Sequence, residues 1–309
     1  MATEPMLAAF DLAAVQYNQS VKFSVLSDYW TLTKPEVNFL IAMATMAAFW
    51  IGSPKSLAHF PWLLLLHTLL GTVFVASGAG TLNQLIERSF DGQMRRTARR
   101  PIAAGRIEPA EALVFGTLLS LAGVLYLALV VRPAASLLAL LTLAGYLFLY
   151  TPLKRRTHLC TLVGAFPGAM PVLIGYVAAA GRLDSKAWLL YAILFLWQFP
   201  HFMSIAWMYR EDYARAGYQV LPPGAVKARF MAWQSVLPSF GLVSVSLVPL
   251  IWRQANPVLA AASLLLSLAF LYFAGRLAVV QSNRSARRLL LASIVYLPLV
   301  FVLAAFARS

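Results

Sequence analysis

From Gly80 to Asp91 the chain reads Gly-Thr-Leu-Asn-Gln-Leu-Ile-Glu-Arg-Ser-Phe-Asp, which spaces Asn83, Glu87 and Asp91 at i, i+4 and i+8. At about 100° per residue the three fall within an arc of roughly 80°, along about 12 Å of one helix face. Three oxygen donors so placed, two of them carboxylates, suit a hard divalent cation such as Mg²⁺, which keeps several waters and is completed by substrate phosphates. A frayed, solvated helix end, where Glu and Asp are common, accounts for the same three residues equally well. The next residues separate the readings: Arg95, Arg96, Arg99 and Arg100 all follow within ten residues of Asp91. Arginine forks match phosphate oxygens bidentately. Topology signalling explains one or two arginines but not the carboxylates set before them, because acidic residues contribute little to topology. A metal–diphosphate site explains both.

A second polar cluster begins Trp197-Gln-Phe-Pro-His201 and continues at Arg210-Glu-Asp-Tyr213. Pro200 can bend a helix and free a backbone carbonyl. Gln198 lies three residues before His201, so both side chains can enter one polar cavity. A lone histidine in an apolar run is more often a hydrogen-bonded packing residue than a ligand. The third basic group, Lys154-Arg155-Arg156, reads by itself as topology. Gly164, Pro167, Gly168, Pro171 and Gly175 share one apolar run. Such a helix either packs closely or widens a cavity for a large flat ligand.

The elements that must hold these residues are membrane spans. Of 309 residues 61% are hydrophobic and 12% charged, against about 25% charged in a soluble domain. A net charge of +14 would suggest nucleic acid in a soluble protein. Here the basic residues sit between apolar runs, and no nucleic-acid partner is expected. One cysteine, Cys160, excludes a disulfide framework. A hydrocarbon core of about 30 Å needs roughly 20 apolar residues per helix. Nine stretches meet or approach that, at about 36–52, 61–86, 109–131, 134–151, 159–180, 187–208, 230–251, 258–280 and 289–306. The runs are continuous rather than alternating, so strands are not supported.

The expected fold is an all-α integral membrane bundle of nine helices, one polytopic domain over 1–309. Of the Lys and Arg outside the spans, eighteen fall with the N-terminal segment and the loops after spans 2, 4, 6 and 8, and six fall opposite. The positive-inside rule then puts the segment 1–33 and the loops 87–108 and 209–229 in the cytoplasm. The first twenty residues hold Glu4, Asp11 and no Arg, unlike a mitochondrial transit peptide. With no cleavable signal peptide expected, a bacterial plasma membrane is the expected address.

The row Asn83-x-x-x-Glu87-x-x-x-Asp91, followed by Met94-x-Arg96-Thr97-x-x-Arg100-Pro101, resembles the first signature of the UbiA superfamily of intramembrane prenyltransferases. Tyr150-Thr-Pro-Leu-Lys-Arg155, Trp197-Gln-Phe-Pro-His-Phe202 and Arg210-Glu-Asp-Tyr-Ala-Arg-Ala-Gly217 are similar to the branch of it that farnesylates haem. The resemblance runs from Thr33-Lys34-Pro35 to about residue 222. It implies nine helices around a cavity and an isoprenyl diphosphate bound through Mg²⁺ and two acidic motifs. It further implies transfer of the farnesyl group of farnesyl diphosphate to a vinyl group of haem B, giving haem O for terminal oxidases or for conversion to haem A. Ala216 stands where the superfamily often has the last carboxylate of a second Asp-x-x-x-Asp, so a second metal site rests on Asp212 with Glu211.

On that reading Asn83, Glu87 and Asp91 bind Mg²⁺, joined by Asp212 and Glu211. Arg96, Arg100, Lys154, Arg155 and Lys34 clamp the diphosphate. His201, with Gln198 and Trp197, meets haem as axial ligand or propionate partner. Haem A synthase and terminal oxidase assembly proteins are the implied protein partners. Competing readings are a UbiA-type enzyme with another aromatic or tetrapyrrole acceptor, a secondary transporter of an organic phosphate, and a haem chaperone without catalysis.

Overall fold

Proline and cap residues mark where the long helices begin. Pro35, Pro109, Pro133 and Pro257 occupy first-turn positions, where a missing N–H costs nothing. The side chains of Asp184, Asn256 and Ser282 accept from first-turn backbone amides. The computed structural model describes residues 25–224, 226–251 and 256–307. Most of the expected cytoplasmic segment 1–33, and Lys22, Arg253 and Arg308 of the charge count, lie outside the described residues.

In chain order the helices are α1 (Val25–Leu32), α2 (Pro35–Gly52), α3 (Trp62–Asp91), α4 (Pro109–Tyr126), α5 (Pro133–Ala144), α6 (Cys160–Ala180), α7 (Ser185–Met208), α8 (Arg210–Arg215), α9 (Val226–Ile251), α10 (Pro257–Val280) and α11 (Asn283–Phe306). A π-helical stretch extends α4 over Leu127–Val131, and another extends α5 over Gly145–Tyr150 before a last turn at Thr151–Leu153. Among the described residues nine of these helices are long and apolar enough to cross a membrane. Their centres match the nine stretches expected. The difference lies at the ends: α3 runs on to Asp91, α9 starts at Val226 and α11 at Asn283. Hydropathy fades where helices leave hydrocarbon, but their backbone hydrogen bonding continues.

The bundle is apolar outside and small or polar inside. Leu66, Leu121, Leu141 and Leu265 face outward, while Thr45, Thr68, Ser120, Ser267 and Ser293 are buried. This is the expected pattern in lipid, where close backbone approach drives helix association. α6 is the hub, packing on α2, α5 and α7. α3 pairs with α4, α9 and α10 pair beside α7, and α11 touches both α7 and α2. The glycines of α6 resolve to the close-packing alternative. A Cβ on Gly175 would collide with the Thr45 carbonyl, one on Gly168 with the Gln198 amide and one on Gly164 with the Tyr150 ring.

Candidate active site

α3 carries its polar row into the bundle, not into solvent. Asn83, Glu87 and Asp91 are 1%, 6% and 1% exposed, which removes the solvated-helix-end reading. Each meets a cation from a different segment. Lys34, just before α2, donates from Nζ to Asn83 Oδ1 at 2.7 Å. Lys154, just after α5, donates from Nζ to Glu87 Oε1 at 2.8 Å. Arg100, in the loop after α3, donates from Nη1 to both oxygens of Asp91 at 2.8 Å. The site is thus a ladder of three rungs along one helix face.

Local backbone features aim these groups. Lys34 has φ 53° and ψ 62°, a left-handed conformation that costs a non-glycine residue about 1–2 kcal/mol. The buried Asn38 amide holds it from the neighbouring turn by donating to the Thr33 carbonyl and to Ser77 Oγ. The π-helical stretch Gly145–Tyr150 comes directly before Thr151, whose hydroxyl accepts from Asn83 Nδ2 at 3.2 Å. Asn83 is therefore oriented with its oxygen toward Lys34. Burial lowers the Lys34 ammonium to about 7, and nearby Arg100 works in the same direction. Burial would also lower Lys154, but the Glu87 carboxylate overrides it and holds that ammonium well above its ordinary value.

Two loops close over the ladder. Arg96 stacks on Tyr209 at 4.9 Å and Arg155 on Phe90 at 3.9 Å. Met94, Ala216 and Tyr218 pack together with Phe90 and Tyr213 around them. Arg106 grips Asp28 of α1 through Nε and Nη2 at 2.9–3.1 Å, fastening the loop after α3. Glu87 opens into a cavity of about 380 Å³ that Phe90, Thr151, Arg155, Arg156 and Tyr218 also line. The Tyr218 hydroxyl is buried next to the Glu87 carboxylate, without a well-formed hydrogen bond to any of the described residues. Burial pushes it well above the ordinary phenol range, and the Glu87 carboxylate adds to this. Neither Tyr218 nor Asp28 carries a sequence signal, because each acts through a contact remote in the chain, and Thr151, although inside the Tyr150–Arg155 block, shows its role only through its contact with Asn83.

Other expected site residues do not join. Glu211 is largely exposed and leans toward Arg210 at 3.4 Å, and Asp212 pairs with Arg215 at 3.2 Å. Among the described residues, no three His, Cys, Asp or Glu side chains gather into a group able to hold a metal. Glu211 and Asp212 therefore do not complete the row on α3; α8 supplies each with its own arginine. Gln198 and His201 do not share a cavity either. Gln198 Nε2 donates to the Ala165 carbonyl of α6. His201 Nδ1 pairs with Ser293 Oγ of α11 at 2.8 Å, its ring stacked on Trp197, and Trp197 Nε1 donates to the Ser293 carbonyl. Three residues apart, the two side chains lie within about 60° of each other on the helix, yet each is taken by a different neighbour, Gln198 by α6 and His201 by α11. The Trp197 and Gln198 side-chain N–H groups are thus engaged by neighbouring backbone carbonyls, while Nε2 of His201 has no hydrogen-bond partner among the described residues.

The donor set fits Mg²⁺ in kind. Two carboxylates and one amide oxygen in a buried row are hard oxygen ligands. They are too few to cage an ion alone, which suits a cation that shares its shell with water and phosphate. Lys34, Lys154 and Arg100 bring three positive charges to that same row.

Residues 41–306 match the profile of the UbiA prenyltransferase family. The chain belongs to the UbiA prenyltransferase family. Among its relatives, protoheme IX farnesyltransferase of Solibacter usitatus is 48% identical over 282 residues, covering 89% of this chain and 97% of that protein. Protoheme IX farnesyltransferase of Salinibacter ruber is 42% identical over 274 residues, covering 89% and 96%. The fold is shared with a UbiA homolog from Archaeoglobus fulgidus bound to GPP and Mg²⁺, at 17% identity and a TM-score of 0.62, covering 90% of this chain and 99% of that one. A solved structure described for digeranylgeranylglyceryl phosphate synthase superposes with a TM-score of 0.72 at 17% identity, covering 92% and 98%. UbiA membership and the nine apolar helices make this a multi-pass membrane protein.

Proposed function

We propose that this chain transfers the farnesyl group of farnesyl diphosphate to a vinyl group of haem B, forming haem O. The observation that carries the reading is the buried ladder of Asn83, Glu87 and Asp91 with Lys34, Lys154 and Arg100, in a chain whose relatives are protoheme IX farnesyltransferases. Family membership leaves the transporter and chaperone readings without support.

The allylic C1–O bond breaks once charge growing on the leaving diphosphate is neutralised. Asn83, Glu87 and Asp91 would hold Mg²⁺, and Asp212 with Glu211 is the reserve pair for a second ion. When bound, Mg²⁺ supplies electrostatic stabilisation of the departing diphosphate. Lys34, Lys154 and Arg100 then turn from the row on α3 to the phosphate oxygens, with Arg96 and Arg155 closing from the loops. The terminal vinyl carbon bonds to C1 of the farnesyl cation. Water adds to the cation left beside the macrocycle and loses a proton, giving the hydroxyethylfarnesyl substituent and free diphosphate. The apolar helix walls shield the allyl cation until then. His201, through Nε2, is the candidate axial ligand of haem.

The proposed setting is a bacterial plasma membrane with the ladder on the cytoplasmic side. The eighteen-to-six bias of basic residues and the bacterial relatives support it. Haem A synthase or terminal oxidase assembly proteins are the proposed recipients of the product. The test is incubation of purified protein with haem B, farnesyl diphosphate and Mg²⁺, read by liquid chromatography and mass spectrometry with an EDTA control. Mg²⁺-dependent haem O supports the reading; prenylation of an aromatic acid instead would keep the diphosphate site and discard haem.

A further inference from the structure

Next to the ladder cavity lies a larger one of about 650 Å³ that the reaction as described leaves unused. This is the size of a small-molecule site, about 300–1,000 Å³. Its walls include His158, Arg210, Tyr213, Tyr218, Pro222 and Lys227, and no acidic residue among the described ones. Tyr218 also lines the ladder cavity, so the two spaces share it as a wall.

The basic groups are of two kinds. Arg210 is fixed: Nη1 donates to the Trp207 carbonyl at 2.9 Å and to Asn283 Oδ1 at 2.8 Å, and the guanidinium stacks on Trp207; its Nη2 meets the exposed Glu211 carboxylate at 3.4 Å, a surface pair that a propionate would have to displace. His158 is fixed through Nδ1 on the Gln219 carbonyl at 2.7 Å, with its ring edge-on to Phe230. The Lys227 ammonium, half-buried in the first turn of α9, has no hydrogen-bond or ion-pair partner among the described residues. Placing a lysine at a helix N-terminus sets its charge against the helix dipole, an arrangement an anionic ligand would relieve. Leu221, Pro222, Pro223 and the Tyr213 ring give the remaining walls flat apolar surface.

We infer that this outer cavity receives the carboxylate edge of the acceptor, the two propionates of a porphyrin, on Lys227 and Arg210. The inference rests on the haem reading and deepens it by assigning an orientation. In haem B the vinyl groups lie across the macrocycle from the propionates. Propionates held here leave the vinyl edge directed past Tyr218 toward Glu87 and the diphosphate. His201 lies seven residues before the end of α7, roughly 10 Å along it, and Arg210 follows that end. The diphosphate itself is the poorer occupant, since Lys34, Lys154 and Arg100 already surround its own cavity and flat apolar walls offer phosphate nothing.

The test is a Soret titration of the full chain in nanodiscs with haem B and with its propionate dimethyl ester. Wild type is compared with Lys227→Glu and with Lys55→Glu, a basic residue remote from the cavity. Lys227→Glu should weaken haem B about tenfold, the effect of losing one charge-assisted contact, while leaving the ester's affinity and the KM for farnesyl diphosphate unchanged. Lys55→Glu should change neither form. Equal weakening of acid and ester, no weakening of either, or a raised KM for farnesyl diphosphate would overturn the propionate site alone. Failure of wild type to bind haem would overturn the acceptor reading and this inference with it.

Discussion

Glu87→Gln separates a ligand from a counter-ion. The carboxylate side chain is 7% exposed and its partner Lys154 15%, at 2.8 Å. Removing one charge of such a pair leaves the other buried and unmatched, which costs about 3–5 kcal/mol. Glu87→Gln should therefore lower the thermal midpoint in detergent, followed by tryptophan fluorescence. The double variant Glu87→Gln with Lys154→Gln removes both charges and should recover most of that stability, since neutral replacement of a buried pair is often close to neutral in free energy. Activity should behave differently. Loss of an electrostatic contributor to the leaving group costs about 10²–10³ in kcat, and the double variant loses two. Haem O formation should be nearly abolished in Glu87→Gln and should not return in the double variant, whereas Glu87→Asp should retain turnover. Recovery of turnover together with stability in the double variant would show that Glu87 only balances Lys154, and the metal assignment would fall.

Tyr218→Phe removes only a hydroxyl that is buried without a well-formed hydrogen bond to any of the described residues; stability should hold or rise slightly, while the KM for farnesyl diphosphate increases about tenfold if that hydroxyl donates to the diphosphate. Unchanged steady-state constants would exclude the contact. Gly175→Ala forces a methyl against the Thr45 carbonyl and should cost about 1–3 kcal/mol, read as a lowered thermal midpoint with turnover per folded molecule preserved. His201→Ala should shift the Soret band of bound haem; an identical spectrum would assign His201 to its contacts with Ser293 and Trp197.

What was legible in the sequence follows from how each feature is encoded. Nine spans are written in hydropathy, and Asn83, Glu87 and Asp91 in helical spacing, because both depend on residues close in the chain. The cations that meet the row do not. Lys34 and Lys154 lie 49 and 67 residues from their partners, so spacing alone marks them as basic residues at span ends, and only the family resemblance assigns them to the diphosphate. Glu211 and Asp212 stand apart from the row on α3 for a related reason: Arg210 and Arg215 of the same short helix meet them, a pairing that the acidic motif does not announce. Gln198 and His201 do share a helix face at i, i+3, but spacing does not say which neighbouring helix each meets, and α6 takes one while α11 takes the other. Tyr218 is one of twelve tyrosines, and only the folded loops set it between two cavities.

The most direct measurement is an acceptor competition. Purified protein, farnesyl diphosphate and Mg²⁺ are mixed with haem B and an aromatic acid acceptor together, and all prenylated products are quantified with and without EDTA. The expected result is haem O as the prenylated product, lost on chelation and restored by added Mg²⁺. Prenylation of the aromatic acid in preference to haem, or haem O formed at full rate in EDTA, would contradict the proposed reaction.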